Sequence, residues 1–494
     1  EYAPAPATRT PNVQAPPAFS RAGPVEWANR RQASPLSLLP ALTPAAEFPY
    51  SSRPSEGLPR HGQNHVKTPT TNTARTSLSR RARASGGQPI NFLMQTALAQ
   101  PELISLAAGF VDQGSLPTEA VDEAWRTLAA DNSLAHAALQ YGTTHGYRPL
   151  RELLLDELRT ADGNPECMRD LRPEQVVVTA GSNQLLYLLA DTLCDPGDIV
   201  LCAAPTYYVY LGVLKNLGIR AVGAATDEQG LVPEALSEKL EQLAKAGELG
   251  RVKAIYVVSY FDNPQGVTLP AKRRAAIVEL AQRYSVEQKI YVLDDAAYRK
   301  LRYSGDDVPG FAAFDDDGTV ITTHTFSKSF SPGIRVGWGI LPAELVQPFC
   351  DQKSNIDFGA PNFAQHIVYE AMRSGAGAEQ TAKLCDVYRV KRDAMVSACE
   401  RHMSGLAGVR WLHPTGGLYV WLTLPEGVDA GTESPLFAAA LKAGVLYVPG
   451  GFSYAAEGMP IADNTIRLSF GVQSPARIEE GIRLLATAVA AVAR

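Results

Sequence analysis

The chain has 494 residues, 45% of them hydrophobic and 20% charged, which allows more than one domain around a large core. A net charge of -5 gives no electrostatic footprint for nucleic acid or an anionic membrane as partner, and no apolar run is long enough to span a bilayer. The six cysteines form no C-x-x-C pair and have no histidine at zinc spacing, which predicts no metal site and reduced thiols in a cytoplasmic protein.

Residues 1–87 are rich in Pro, Ser, Thr, Ala and Arg, poor in acids, and show no period of 3.6 or 2. Such a segment buries too little apolar surface to offset its ordering entropy and is predicted to be disordered. The same composition also describes an organelle transit peptide, although the dense prolines argue against one. No helix-turn-helix pattern precedes the rest of the chain.

From Pro89 onward, short apolar runs alternate with helical stretches. The runs start at Val176, Ile199, Ala254, Tyr291 and Val320 and are apolar throughout, as strands buried on both faces should be. Helical patterns lie between them, for example from Asn183 to Leu193 and from Ala271 to Tyr284. This alternation predicts an α/β domain around a largely parallel sheet. After Asp351 a helical pattern runs from Phe363 to Met403. Strand-like Gly417 to Leu422 and Ile466 to Phe470 follow, which predicts a smaller α+β domain. Leu484 to Ala493 reads as a packed helix.

The most informative stretch is Thr325-Phe326-Ser327-Lys328-Ser329-Phe330-Ser331-Pro332-Gly333-Ile334-Arg335. Lysine is the side chain that forms imines with aldehydes, and it does so when part of it is deprotonated. Hydroxyls and a guanidinium beside it suit a phosphate dianion. An aldehyde carrying a phosphate points to pyridoxal 5′-phosphate (PLP), while a Ser-rich surface loop is the plainer reading. Asp294-Asp295-Ala296-Ala297-Tyr298 follows a strand. A carboxylate there can keep a pyridine nitrogen protonated, and Tyr298 can donate to the ring oxygen; a helix cap and a core tyrosine would look the same. Ala180-Gly181-Ser182-Asn183 opens a helix and offers either an anion site or an ordinary cap. Tyr207, at a strand end, could stack on a ring, and Asn263 in Asn263-Pro264-Gln265-Gly266 could bond its oxygen; each could equally be packing or a turn. All five lie at successive strand ends, where open α/β sheets bind ligands.

These stretches, with Tyr141-Gly142-Thr143-Thr144-His145-Gly146, Pro414-Thr415-Gly416-Gly417 and Arg467-Leu468-Ser469-Phe470, occur in the order seen in class I/II aminotransferases of PLP fold type I. From about Pro89 to Arg494 the chain resembles that family, and within it the 2-aminoadipate and kynurenine aminotransferase branch. The short spacing from Lys328 to Arg335 is shared with that branch.

The resemblance implies an aspartate-aminotransferase-like fold, with an N-terminal arm and part of a small domain at 88–134, a large PLP-binding domain at 135–355 and a C-terminal small domain at 356–494. It implies that Lys328 forms a Schiff base with PLP, Asp295 pairs with the pyridine nitrogen, and Asn263 and Tyr298 contact the ring oxygen. Tyr207 stacks on the ring. Gly181, Ser182, Asn183, Thr325, Ser327 and Arg335 hold the phosphate. Tyr141 reaches the cofactor of a second subunit, implying a homodimer with shared sites. Arg467 grips the substrate carboxylate, and Gly109 and Asn263 lie beside the substrate.

The implied reaction moves an amino group from an L-amino acid to a 2-oxo acid, 2-oxoglutarate, in ping-pong order. The segment Ala108-Gly109-Phe110-Val111 departs from the family's Gly-Gly-x-Pro, and Pro89-Ile90-Asn91-Phe92 lacks an arginine often found there. These departures bear on substrate choice, and Phe110, Tyr207, Tyr208 and Phe452 favour a hydrophobic donor. The alternatives are another fold type I reaction, a lyase or an amino-acid cyclase, and a PLP-binding regulator.

Overall fold

Residue patterns become elements in the following order in the computed structural model, which describes residues 77–492 except 86 and 108. The extension expected at 1–87 lies outside the described residues up to 76. Its last part departs from the expectation of disorder. Ser79 accepts from the Ala82 N–H at 3.0 Å and caps a short helix, α1 (Arg80–Ala84). Arg81 reaches Asp191 at 3.6 Å and the Tyr187 hydroxyl at 3.2 Å, and Gln88 reaches the Val209 carbonyl at 3.5 Å. These partners lie far along the chain, so the segment is ordered by a surface that the local sequence does not announce.

Next come α2 (Pro89–Ala99), with proline in its first turn, β1 (Ile104–Ser105), α3 (Thr118–Ala130), α4 (Asn132–Leu139) and α5 (Arg148–Ala161). The middle of the chain supplies β2 (Val176–Thr179), α6 (Ser182–Leu193), β3 (Ile199–Ala204), α7 (Tyr208–Leu217), β4 (Arg220–Asp227) and β5 (Gly230–Leu231). It continues with α8 (Pro233–Lys245), β6 (Val252–Val258), α9 (Ala271–Tyr284), β7 (Tyr291–Asp295), β8 (Val320–Thr325) and β9 (Gly337–Ile340).

The eight strands β2 to β9 form one sheet in the order β2-β9-β8-β7-β6-β3-β4-β5. Neighbours from β8 to β4 are parallel, whereas β9 runs antiparallel to β8 and β2, and β5 to β4. β3 and β7 are buried at every residue because helices cover both faces. The apolar residues of α6 and α7 enter one core cluster, and those of α8 and α9 another. All five runs expected as strands are strands. β9 carried no such signal, since the two glycines of Gly-Trp-Gly-Ile are disfavoured in strands.

The C-terminal third gives α10 (Ala343–Asp357), α11 (Asn362–Arg373), α12 (Ala376–Met403), β10 (Arg410–Trp411), β11 (Tyr419–Thr423), α13 (Pro435–Ala443), β12 (Val445–Leu446), β13 (Val448–Pro449), β14 (Thr465–Ser469) and α14 (Pro475–Val492). The helical pattern from Phe363 to Met403 breaks at Gly375, whose φ of 89° suits glycine. A second, antiparallel sheet runs β10-β11-β14-β13, and β1 pairs with β12. α11, beyond the boundary expected at 355, packs on α3, α4 and α5, while α12 packs on α14. Among the described residues no helix is long and apolar enough to cross a membrane, and no group of side chains could hold a metal ion.

Candidate active site

The carboxyl ends of β2, β3, β6, β7 and β8 meet at one edge of the large sheet, around a cavity of about 350 Å³. Ser182, Asn183, Tyr207, Asn263, Asp295, Tyr298, Thr325, Ser327, Lys328, Arg335, Gly109 and Arg467 all line it. Gly181 sits behind the wall, against Arg335. Tyr141 does not reach the cavity of its own chain; it is 83% exposed and meets the ring of Phe358 edge-on.

Lys328 lies in the tight turn after β8, where the Phe326 N–H donates to the Val336 carbonyl at 3.0 Å. Its Nζ donates to the Gly109 carbonyl at 2.8 Å. Desolvation, with cationic Arg467 and Arg335 adding repulsion, lowers its pKa to about 8. A useful fraction is then a free amine near neutral pH, as imine chemistry requires. Acylation of Lys328 by an anhydride in the cofactor-free protein should therefore rise with pH and level off just above 8. Peptide mass spectrometry would follow it beside the exposed Lys245. A profile still climbing at pH 10 for both residues would contradict the lowered amine.

Adjacent aspartates on β7 face opposite sides of the sheet. Asp294 accepts from Ser259 and, at 3.4 Å, from the Phe311 N–H, away from the cavity. Asp295 faces the cavity and accepts from the Tyr256 hydroxyl at 2.8 Å and the Ala297 N–H at 3.2 Å. Burial raises its pKa to about 6, and the hydrogen bonds from Tyr256 and Ala297 act against that rise. A carboxylate held this way gains from a cation in front of it, and a protonated pyridine nitrogen is such a cation. Tyr298 bonds the Tyr419 hydroxyl at 3.1 Å, and burial raises its pKa well above the usual tyrosine value, so it stays a neutral donor.

The opposite end of the cavity is a cradle for an anion. Gly181 has a φ of 87°, and α6 starts without a side-chain cap, so its first N–H groups face the cavity edge. A Cβ on Gly337 would lie 2.4 Å from the Gly181 carbonyl carbon and the Ser182 nitrogen, which explains a glycine in β9. The Thr325 hydroxyl lies 3.0 Å from that of Ser327. Arg335 Nη2 donates to the Ala180 carbonyl at 2.9 Å, and Nη1 lies 3.4 Å from Ser327 Oγ. Helix N–H groups, two hydroxyls and a guanidinium suit a phosphate monoester dianion. With Lys328 and Asp295 lining the same cavity as this cradle, the residues fit PLP.

Arg467 on β14 is almost fully buried. Its Nη1 donates to Asn263 Oδ1 at 2.9 Å and its Nη2 to the Ala107 carbonyl at 2.7 Å, while Nε has no partner. The guanidinium carbon stands 4.4 Å from the Tyr419 ring centre and 5.3 Å from that of Tyr208. A buried guanidinium with an unmet donor, shielded by aromatic faces, has the chemistry to take a carboxylate. Ile90 and Met94 of α2, Phe110 and Val209 also line the cavity.

Sequence reasoning missed Tyr256, Tyr419, Ile90 and Met94. A tyrosine inside an apolar strand and two apolar residues on a short helix look like packing. A larger cavity of about 780 Å³ lies between α5 and α12 behind Phe326. It is mostly apolar and holds no set of groups matching the cofactor.

The family model described as aminotransferase class I and II matches residues 101–485. An aromatic-amino-acid aminotransferase of Thermococcus litoralis is 36% identical over 388 residues, 78% of this chain and 88% of its own. The 2-aminoadipate transaminase of Thermus thermophilus is 31% identical over 393 residues, 79% of this chain and 91% of its own. The kynurenine aminotransferase of Pyrococcus horikoshii, solved in complex with PMP, with KYN as substrate and KYA as product, is similar at a TM-score of 0.77 and 33% identity, over 84% of this chain and 98% of that one.

Proposed function

The chain belongs to the class I and II aminotransferases and is a PLP-dependent transaminase, and from that premise we propose that its donor is an L-amino acid with an aromatic or other bulky apolar side chain. The acceptor in this reading is a 2-oxo acid whose side chain the same wall admits, and the two half-reactions follow one another in ping-pong order. The observation that carries it is the apolar wall of Ile90, Met94, Phe110 and Val209 on the cavity that Arg467 also lines. The wall offers no cation to a second carboxylate, and an unpaired carboxylate against it would be costly. The aromatic-amino-acid aminotransferase among the relatives agrees with this reading.

Bound PLP supplies an aldehyde carbon that takes up the amino group and a pyridine ring that draws in the electron pair left on Cα. Arg467 fixes the substrate carboxylate, so that the Cα–H bond faces Lys328. Lys328 Nζ, once free, takes the Cα proton and delivers it to the cofactor carbon. Asp295 holds a proton on the ring nitrogen. Tyr298 and Asn263 orient the ring oxygen, and the Tyr207 ring limits tilting. The exposed apolar side chains Leu139, Tyr141, Ile356 and Phe358 support a homodimer in which Tyr141 serves the partner's site.

The test is a panel of amino acids added singly to the PLP-loaded enzyme without oxo acid, following conversion of the bound cofactor to its amine form. Phenylalanine, tyrosine or kynurenine should convert it fastest, and 2-aminoadipate or glutamate slowly. Release of ammonia without that conversion would contradict the reading. Met94→Arg should shift the ratio of kcat/KM for 2-aminoadipate over phenylalanine by on the order of 100-fold toward the acid. An unchanged ratio would place the side-chain site elsewhere.

A further inference from the structure

The turn that shapes the phosphate cradle is held partly by its own bonds, such as the Thr179 hydroxyl to the Gly181 carbonyl at 3.0 Å, and partly from far along the chain. Gly181 is permissive and α6 has no side-chain cap, yet Ala180 is held at both of its backbone polar groups. Its carbonyl accepts from Arg335 Nη2 at 2.9 Å, and its N–H donates to Gln184 Oε1 at 2.7 Å. The other end of the Gln184 amide donates to Asp357 Oδ2 at 2.9 Å. Asp357 Oδ1 accepts from Lys353 Nζ, also at 2.9 Å, and the Lys353 side chain has no solvent exposure. Asp357 is itself fixed. It closes α10, and the next residue, Phe358, has a φ of 58° while its carbonyl accepts from the Thr144 hydroxyl at 3.0 Å.

We propose that Gln184, oriented by Asp357 and Lys353, is a positioning residue for the cofactor's phosphate. An amide side chain can present its oxygen to Ala180 only if its nitrogen has an acceptor, and Asp357 is that acceptor. Lys353 holds the carboxylate in place by a charge-assisted bond within a part-buried pair. The relay therefore fixes the Thr179–Ala180 peptide while Arg335 holds the carbonyl of the next one, and together they set the spacing between the first N–H groups of α6 and the Arg335 guanidinium. A loosened peptide would let Arg335 and the helix start drift apart, and the loss would be felt by the phosphate rather than by the pyridine ring.

The experiment compares dissociation constants of PLP and of pyridoxal, which lacks the phosphate, for the cofactor-free protein, read from the absorbance of the lysine-bound cofactor. Gln184→Met keeps the length of the side chain and removes both hydrogen bonds. It should weaken PLP about 10-fold while leaving pyridoxal within about 2-fold, because a lost bond to a partly buried peptide group acts at the phosphate end alone. Asp357→Asn, which keeps shape and an acceptor for Gln184 but drops the charge facing Lys353, should lower the PLP-to-pyridoxal preference in the same direction by a smaller factor. It also serves if Gln184→Met does not fold. An equal loss for both ligands, or an unchanged preference in the variants that fold, would overturn the positioning role. A wild-type protein that bound neither ligand would instead count against the cofactor site itself.

Discussion

Lys328→Ala should reduce transamination about 10⁴-fold or more, through loss of the covalent attachment and of the base that moves the Cα proton. The variant should still fold and hold PLP non-covalently, because Ser182, Ser327 and Arg335 do not depend on Lys328 for their places. The position of Nζ, 2.8 Å from the Gly109 carbonyl, shows the amine inside the cavity and next to where Arg467 would present a substrate. A single-turnover assay with the preferred donor, with and without a small primary amine, measures both parts of the effect. Partial recovery with added amine would identify the missing group as a proton carrier. Turnover within 10-fold of wild type without added amine would remove Lys328 from the reaction.

Asp295→Asn should lower turnover by on the order of 10³-fold, since the ring nitrogen loses the buried charge that keeps its proton. The same substitution makes a pH prediction for the cofactor-free protein. Burial raises the folded-state pKa of Asp295 to about 6, above its ordinary value of 3.8. The folded protein then binds this proton more tightly than the unfolded chain, so the contribution to stability is present below about 4 and is lost as pH rises through 6. Cofactor-free Asp295→Asn should match wild type in Tm below pH 4 and exceed it above pH 6. Adding PLP should reverse that order, because only the wild-type carboxylate pairs with the ring. Thermal melts at pH 4 and pH 7, each with and without PLP, decide it. A wild-type protein that is the more stable at pH 7 without cofactor would show that Asp295 is not strained by ionisation.

The cofactor end of the site was largely legible in the sequence because its chemistry demands particular residue types close together. A lysine among hydroxyls with an arginine shortly after, or an aspartate three residues before a tyrosine, is compressed into one turn after one strand. The supports of those groups were hidden because they come from distant chain. Tyr256 stands 39 residues before the Asp295 it bonds, in an apolar strand where a tyrosine passes for packing. Gln184 and Asp357 are 173 residues apart. β9 escaped detection because Gly337 and Gly339 satisfy close backbone approach rather than strand propensity. Residues 77–87 read as tail because Arg81 finds its partners only on the folded surface. The substrate end was the least legible, since apolar side chains on α2 carry no chemistry of their own.

Two residues of the side-chain wall, Ile90 and Met94, belong to α2, a helix outside the large sheet whose approach is tied down by Arg81 and Gln88, whereas the groups that fit PLP ride on strand ends within the core. Heritable change can thus act on the two at different rates. A substitution at Ile90 or Met94 disturbs a peripheral helix and alters diet, while one at Gly181, Gly337 or Asp295 endangers the cofactor on which every diet depends. A lineage built this way can wander among aromatic, acidic and aliphatic donors over generations without passing through an inactive ancestor.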